Sequence, residues 1–301
     1  MLAQEIESDV AALENERTLF DEANFGRRFQ ALDFLELDIL DRIDGILARL
    51  DHPPELVDLK ERAQRLTSHL EELNRSYFAM LRQEIRACAG AGIPPKGLLE
   101  SHVGNIRRDA VPHDKAGYDV LDAFVAGLLL YNPFPVETNK PEPEMIAYQP
   151  TPARIIFELI ETAQFTTSDV FYDLGSGLGQ VPILVNLFSG AKAVGVEFEP
   201  AYFEYASACA ADLNLPRVSF DNLDARKAAY SDGTAFFMYT PFVGGMLDAV
   251  LELLRSETRG RSIRLFTYGP CTPQVCRQVW LRQTSRNGLD PYALAGFTSA
   301  A

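Results

Sequence analysis

The chain is short of cysteine, histidine and tryptophan, with four, four and one of them in 301 residues. Cys88, Cys209, Cys271 and Cys276 form no CxxC pair, and a chain of this length needs no disulfide staples. They read as reduced thiols of a cytoplasmic protein. His52, His69, His102 and His113 all precede residue 114 and make no HxH or HxxxH pair, so no zinc site is expected. Positive charge is scarce too: 28 Lys and Arg face 42 Asp and Glu, a net charge of -14. Acids outnumber bases on both sides of residue 110, so neither half offers the basic stripe that nucleic-acid binding needs. Nucleic acid is therefore not an expected partner, and the lone pair Arg107-Arg108 reads as solvated surface. The longest apolar run, AFVAGLLLY at Ala123–Tyr131, is far too short to span a bilayer. The opening MLAQEIESDV is acidic and lacks the apolar core of a signal peptide.

The front of the chain has helical periodicity and almost no strand signal. Leu2, Ile6, Val10, Leu13 and Phe20 form one apolar stripe; Leu32, Leu35, Ile39, Ile43, Ile46 and Leu50 form a second. DHPP then breaks the chain, with Pro54 suited to a first helical turn. Leu59, Ala63, Leu66, Leu70, Leu73, Tyr77 and Met80 alternate steps of four and three, a heptad seam that ends near ACAGAGIPP. Two coverings of that seam are open: helices of the same chain, or a second copy in a homodimer. Residues 1–117 are expected to form an α-helical bundle domain. Residues 118–150 add an apolar helix and a proline-rich, glutamate-rich segment, NPFPVETNKPEPEM, read as a linker or lid.

From Thr151 the pattern becomes α/β. PARIIFELIETAQF reads as a helix, VFYDLG as a buried strand, QVPILVNLFS as a helix and KAVGVE as a strand. PAYFEYASACAADLN (helix), RVSF (strand), TAFFMY (strand), GGMLDAVLELLRS (helix) and SIRLFTYG (strand) follow. Strands alternating with helices imply a parallel sheet with right-handed crossovers, and ligands bind beyond the carboxyl ends of its strands. At the first strand-to-helix turn stands DLGSGLGQ, Asp173–Gln180. Glycine there permits positive φ and close backbone approach. The second strand ends in Glu197, eighteen residues after Gly179, where a carboxylate can accept from two ribose hydroxyls. The spacing is GxGxG rather than the dinucleotide GxGxxG, and Asp173 puts a carboxylate beside the ligand, which suits an ammonium group better than a pyrophosphate.

These residues resemble motif I of the class I S-adenosylmethionine-dependent methyltransferases, over about residues 145 to 301. The resemblance implies a Rossmann-like sheet closed by an antiparallel hairpin, here VWLRQT and ALAGFTS, with Trp280 and Phe297 in the core. It implies S-adenosylmethionine as cofactor, held by Asp173, Gly175, Ser176, Gly177, Gly179 and Gln180, by Glu197 at the ribose and by Asp224 and Ala225 at the adenine edge. DLGSGxGQ is similar in particular to the non-SET histone-lysine methyltransferases, the disruptor of telomeric silencing family. In that family a Thr-containing loop precedes the first core helix. YQPTPAR occupies its place, so Tyr148 and Thr151 join the expected cofactor site, with Thr151 also a candidate helix cap. The family's Asn-Phe after strand four is replaced by Tyr239, Thr240, Pro241 and Phe242, and no basic nucleosome-binding tail is present. These four are the expected acceptor residues: Tyr239 or Thr240 would orient the nucleophile and Phe242 would clamp it. The acceptor is expected to be a protein amine such as lysine, or a small molecule. The absent Asn or Asp keeps open a catalytically silent S-adenosylmethionine sensor or scaffold. A nicotinamide-dependent oxidoreductase is disfavoured by GxGxG and the hairpin.

Overall fold

The computed structural model describes residues 2–21, 24–49, 53–91, 93, 95–109, 118–129, 133–257, 259–285 and 290–299. Asp51 and His52 of the DHPP break, His113, and part of the SRNGLDPY loop lie outside the described residues, as do the side chains of Arg107 and Arg108. The chain divides into two compact units. The first comprises Met1–Gln83, Glu100–Asp114 and Asp119–Leu128; the second comprises Glu84–Leu99, Lys115–Tyr118 and Leu129–Ala301. The division thus falls elsewhere than at residue 117.

The first unit draws on six helices: α1 (Leu2–Asn15), α2 (Phe25–Phe34), α3 (Asp41–Leu47), α4 (Pro54–Gly90), α5 (Lys96–Asp109) and α6 (Val120–Leu129). A π-helical turn at Leu35–Leu40 joins α2 to α3. α4 opens at Pro54 as expected, and Pro53 O accepts from Leu56 N and Val57 N. Most of both apolar stripes and the seam from Leu59 to Leu73 enter one core, in which Ile6, Val10, Leu35, Ile39, Ile43, Ala63 and Leu70 are fully buried; Phe20 is exposed, and Leu50 and the Leu2 side chain lie outside the described residues. The seam is thus covered within a single chain. α6 belongs with this unit because Phe124 packs among Phe25, Tyr77 and Phe78. Periodicity did not reveal Arg28, which is fully buried. Its guanidinium donates to Asn74 Oδ1 at 2.7 Å and to the Asp21 carbonyl, the kind of pairing a buried charge requires.

The second unit holds one seven-stranded sheet. In chain order its elements are α7 (Ala153–Ala163), β1 (Val170–Leu174), α8 (Gln180–Ser189), β2 (Lys192–Glu197), α9 (Pro200–Asp212), β3 (Val218–Asn222), β4 (Ala235–Tyr239), α10 (Gly244–Glu257), β5 (Arg264–Tyr268), α11 (Thr272–Cys276), β6 (Leu281–Gln283) and β7 (Ala295–Ser299). The strand order is β3-β2-β1-β4-β5-β7-β6. β1 to β5 run parallel, and β7 pairs antiparallel with both β5 and β6, the expected terminal hairpin. The central strands are mostly apolar because helices cover both faces of a parallel sheet. Phe171, Phe236, Phe237 and Phe297 are each at most 2% exposed. α8 starts after Gly179 and stops at Gly190, both left-handed. Chain order reverses between β1 and β4, so the crevice for a ligand opens beyond the carboxyl ends of those strands. Among the described residues no helix is long and apolar enough to cross a membrane.

Candidate active site

β1 delivers Asp173 to the floor of this crevice, and the glycine loop follows at once. Gly175, Gly177 and Gly179 all have positive φ, of 79°, 52° and 81°. A Cβ on Gly177 would lie 2.2 Å from the Tyr148 ring, and one on Gly175 would lie 2.3 Å from Pro241 Cβ. The alternation of glycines is therefore required by backbone conformation and by neighbours within the protein itself. Gly175 lets the end of β4 abut the loop, and Gly177 lets Tyr148 cover it.

The loop is tied to β2. Gly175 N and Ser176 N both donate to Val196 O, at 2.8 and 3.1 Å. Glu197 completes the tie: Oε2 accepts from Gly177 N at 2.7 Å and Oε1 from Glu199 N at 2.8 Å. Ser176 Oγ is buried and has no hydrogen-bond partner among the described residues. Burial pushes the Asp173 carboxyl well above the usual carboxylate range, and the Glu197 charge raises it further. Burial raises Glu197 as well, against the backbone N–H groups of Glu199, Gly177 and Phe198. Among the described residues neither acid has an ion-pair partner, and two crowded acids of this kind favour a positively charged ligand.

Asp224 caps the short 3-10 turn Ala225–Lys227, accepting from Arg226 N at 2.8 Å. Arg226 also grips its carboxylate through Nε and Nη2 and thereby holds Asp224 below the usual range. The same Nη2 of Arg226 also donates to Glu142 at 2.7 Å. That contact is one fastening of a strap, residues 133–150, which sequence reading left as a linker or lid. Glu199 makes the largest fastening. It accepts from Thr138 N, Thr138 Oγ1 and Asn139 N, at 2.7–2.9 Å, while capping α9 through Ala201 N. Burial opposes its charge, but these bonds hold Glu199 below the usual range. Glu144 accepts from Gly245 N and Met246 N at the start of α10, and Met145 bridges to Phe242. The Glu-Pro pair at 199–200 is a helix-start signal that could have disclosed the cap; its hold on the strap leaves no local trace.

The strap and strand ends enclose a cavity of 770 Å³. Of the expected site residues, Tyr148, Gly175, Glu197, Asp224, Ala225, Tyr239, Thr240, Pro241 and Phe242 line it. Thr151, Asp173, Ser176, Gly177, Gly179 and Gln180 are not among the lining residues. Thr151 does not cap α7: the cap position is Pro152, and no side chain bonds there. Thr240 has a strained φ of 39°. Its hydroxyl donates to Tyr268 O at 3.0 Å and accepts from Cys271 N at 3.2 Å, so it is spent on the backbone of the β5 end. Phe242 is 5% exposed and belongs to the hydrophobic core. Tyr239 keeps its hydroxyl toward Gln149 Oε1, at 3.2 Å. Tyr118, Tyr268 and Tyr292, which sequence reading did not single out, join it in lining that end.

Residues that fit S-adenosylmethionine are thus in place: Asp173 beside the glycine loop for its ammonium group, and Glu197 on the cavity wall for a ribose. Among the described residues no group of His, Cys, Asp or Glu could hold a metal.

Residues 145–222 match the family model of histone methylation protein DOT1, about a quarter of the chain. No curated protein matches. Among solved structures, an RNA methyltransferase from Salinibacter ruber with S-adenosyl-L-homocysteine is 23% identical, with a TM-score of 0.40 over 50% of this chain and 92% of that one. A methyltransferase from Thiobacillus denitrificans with the same ligand is 20% identical, with a TM-score of 0.33 over 38% and 47%. A precorrin-6y C5,15-methyltransferase from Geobacter metallireducens is 12% identical, with a TM-score of 0.39 over 52% and 92%. The DOT1 match takes in the end of the strap, the glycine loop and Glu197, and over these residues the chain resembles DOT1.

Proposed function

We propose that the second unit transfers a methyl group from S-adenosylmethionine to an acceptor that enters at the tyrosine-lined end of the cavity. The supporting observation is that one cavity has two chemically different ends meeting where Pro241 abuts Gly175. The end near β2 and β3 holds Glu197 and Asp224; the end near β4 and β5 holds Tyr239 and Tyr268. When bound, the cofactor supplies a sulfonium methyl, whose transfer forms one bond to the acceptor as one sulfur–carbon bond breaks, leaving neutral S-adenosylhomocysteine. Asp173 takes the ammonium, Glu197 the ribose hydroxyls, and Asp224 with Ala225 flanks the adenine. The loop residues Gly175–Gln180 shape the methionyl pocket, and Tyr148 and Thr151 close it from the strap side. Pro241 sets the distance between the two ends, and the Tyr239 hydroxyl orients the acceptor. Phe242 supports that wall from the core. The strap excludes water from the reacting atoms. Among the described residues no disulfide joins the cysteines, which suits a cytoplasmic enzyme.

Thr240 favours a second reading. With its hydroxyl spent on backbone groups, β4 offers the acceptor little beyond Tyr239, as in a protein that senses S-adenosylmethionine without turnover. Thermal shift with S-adenosylhomocysteine and with NAD tests the cofactor; stabilisation by NAD alone would refute the proposal. Glu197→Ala is expected to weaken S-adenosylhomocysteine at least about tenfold, through lost charge-assisted hydrogen bonds. Tritiated methyl transfer into a lysate from cells lacking the protein separates enzyme from sensor.

A further inference from the structure

Arg154 is the only lysine or arginine that lines the cavity among the described residues. It sits in the first turn of α7, at the tyrosine-lined end. Its described hydrogen bond is Nη2 to the Tyr268 hydroxyl, at 3.2 Å. Glu158, one helical turn onward and raised by burial, feels the Arg154 charge without forming an ion pair with it, whereas Arg226 at the other end is gripped by both Asp224 and Glu142. The cavity acids are taken up as well: Glu197 and Glu199 by N–H donors, and Glu137 by the Tyr202 hydroxyl. A guanidinium that faces the cavity and bonds a hydroxyl through Nη2 retains forked donors, a geometry that matches carboxylate or phosphate oxygens. Around it stand aromatic faces. The Tyr239 and Tyr268 rings are 4.9 Å apart, and Tyr118 and Tyr292, 57% and 66% exposed, present rings to solvent beside the same space.

We propose that the acceptor is a small aromatic molecule bearing an oxyanion, and that Arg154 holds the oxyanion while the tyrosine rings take the aromatic face. This rests on the methyltransferase reading for the acceptor's location, but not for the anion site itself. An ammonium side chain is disfavoured at this end, because it would enter beside an unneutralised cation.

Calorimetric titration of the protein saturated with S-adenosylhomocysteine tests this, with benzoate, phenyl phosphate, benzamide and benzylamine as probes. Benzoate or phenyl phosphate is expected to bind at least about tenfold more tightly than benzamide, and benzylamine more weakly still. The better of the two anions tells a carboxylate from a phosphate. Arg154→Gln should lose that preference while keeping S-adenosylhomocysteine affinity, and Arg154→Lys should keep most of it. Retention of cofactor binding by Arg154→Gln also shows that the variant is folded. Equal binding of benzoate and benzamide, tighter binding of benzylamine, no binding of any probe, or an unchanged preference in Arg154→Gln would each overturn the inference. If the wild type does not bind S-adenosylhomocysteine, the cofactor reading fails alone, and the same titrations on the cofactor-free protein decide the anion site.

Discussion

Replacing Gly177 by alanine adds a single carbon and tests the reason for the glycine loop. At φ 52° an L-residue costs roughly 1–2 kcal/mol relative to glycine. The new Cβ would also stand 2.2 Å from the Tyr148 ring, which is itself packed against Tyr202 at 5.1 Å and Phe134 at 5.9 Å between ring centres. The ring cannot yield without disturbing those neighbours, and overpacking of this kind costs about 1–3 kcal/mol. Gly177→Ala should therefore lose roughly 2–5 kcal/mol, a fall in Tm of about 5–15 °C for a unit of this size. Calorimetric melting of the ligand-free protein measures it. Tyr148→Ala has its own cavity cost, but in that background the Gly177→Ala penalty should shrink by about 1–3 kcal/mol, because only the backbone part remains. A Gly177→Ala protein that melts with the wild type, or a double variant whose losses simply add, would show that the loop is not held against Tyr148. The glycine would then be kept for the ligand alone.

Two further outcomes follow from the charges around the loop. Asp173 has a raised pKa in the folded state, so the fold binds a proton there that the unfolded chain has released. Its contribution to stability is complete below the ordinary aspartate range and is lost as pH rises through the folded value. Asp173→Asn should match the wild type near pH 4 and grow more stable than it toward pH 8 in urea titrations without ligand; a constant difference across pH would refute this. The same variant should bind S-adenosylhomocysteine more weakly. Glu199→Ala removes the shared acceptor of Thr138 and Asn139, and limited proteolysis should cut the strap near residues 138–144 several times faster than in the wild type. An unchanged cleavage rate would mean that Arg226 and Glu144 suffice to hold it.

What could be read without coordinates was whatever local repetition carries. Alternating apolar strands and helices disclosed the order of the sheet elements and the hairpin. The heptad steps disclosed a long helix, which runs for 37 residues, and DLGSGLGQ with Glu197 marked the strand ends at which the cavity opens. Each of these is a short-range pattern in which side-chain period or glycine placement is dictated by the backbone. The tertiary structure decided which partners meet across long separations. It covered the heptad seam with α1 to α3, fastened residues 138–144 to Glu199, Arg226 and α10, and spent the Thr240 hydroxyl on the end of β5. It set the glycines against Pro241 and Tyr148, and left Arg154 facing four tyrosines. None of these pairings has a period or a spacing to betray it, because each joins segments far apart in the chain whose proximity exists only once the unit that holds them has folded.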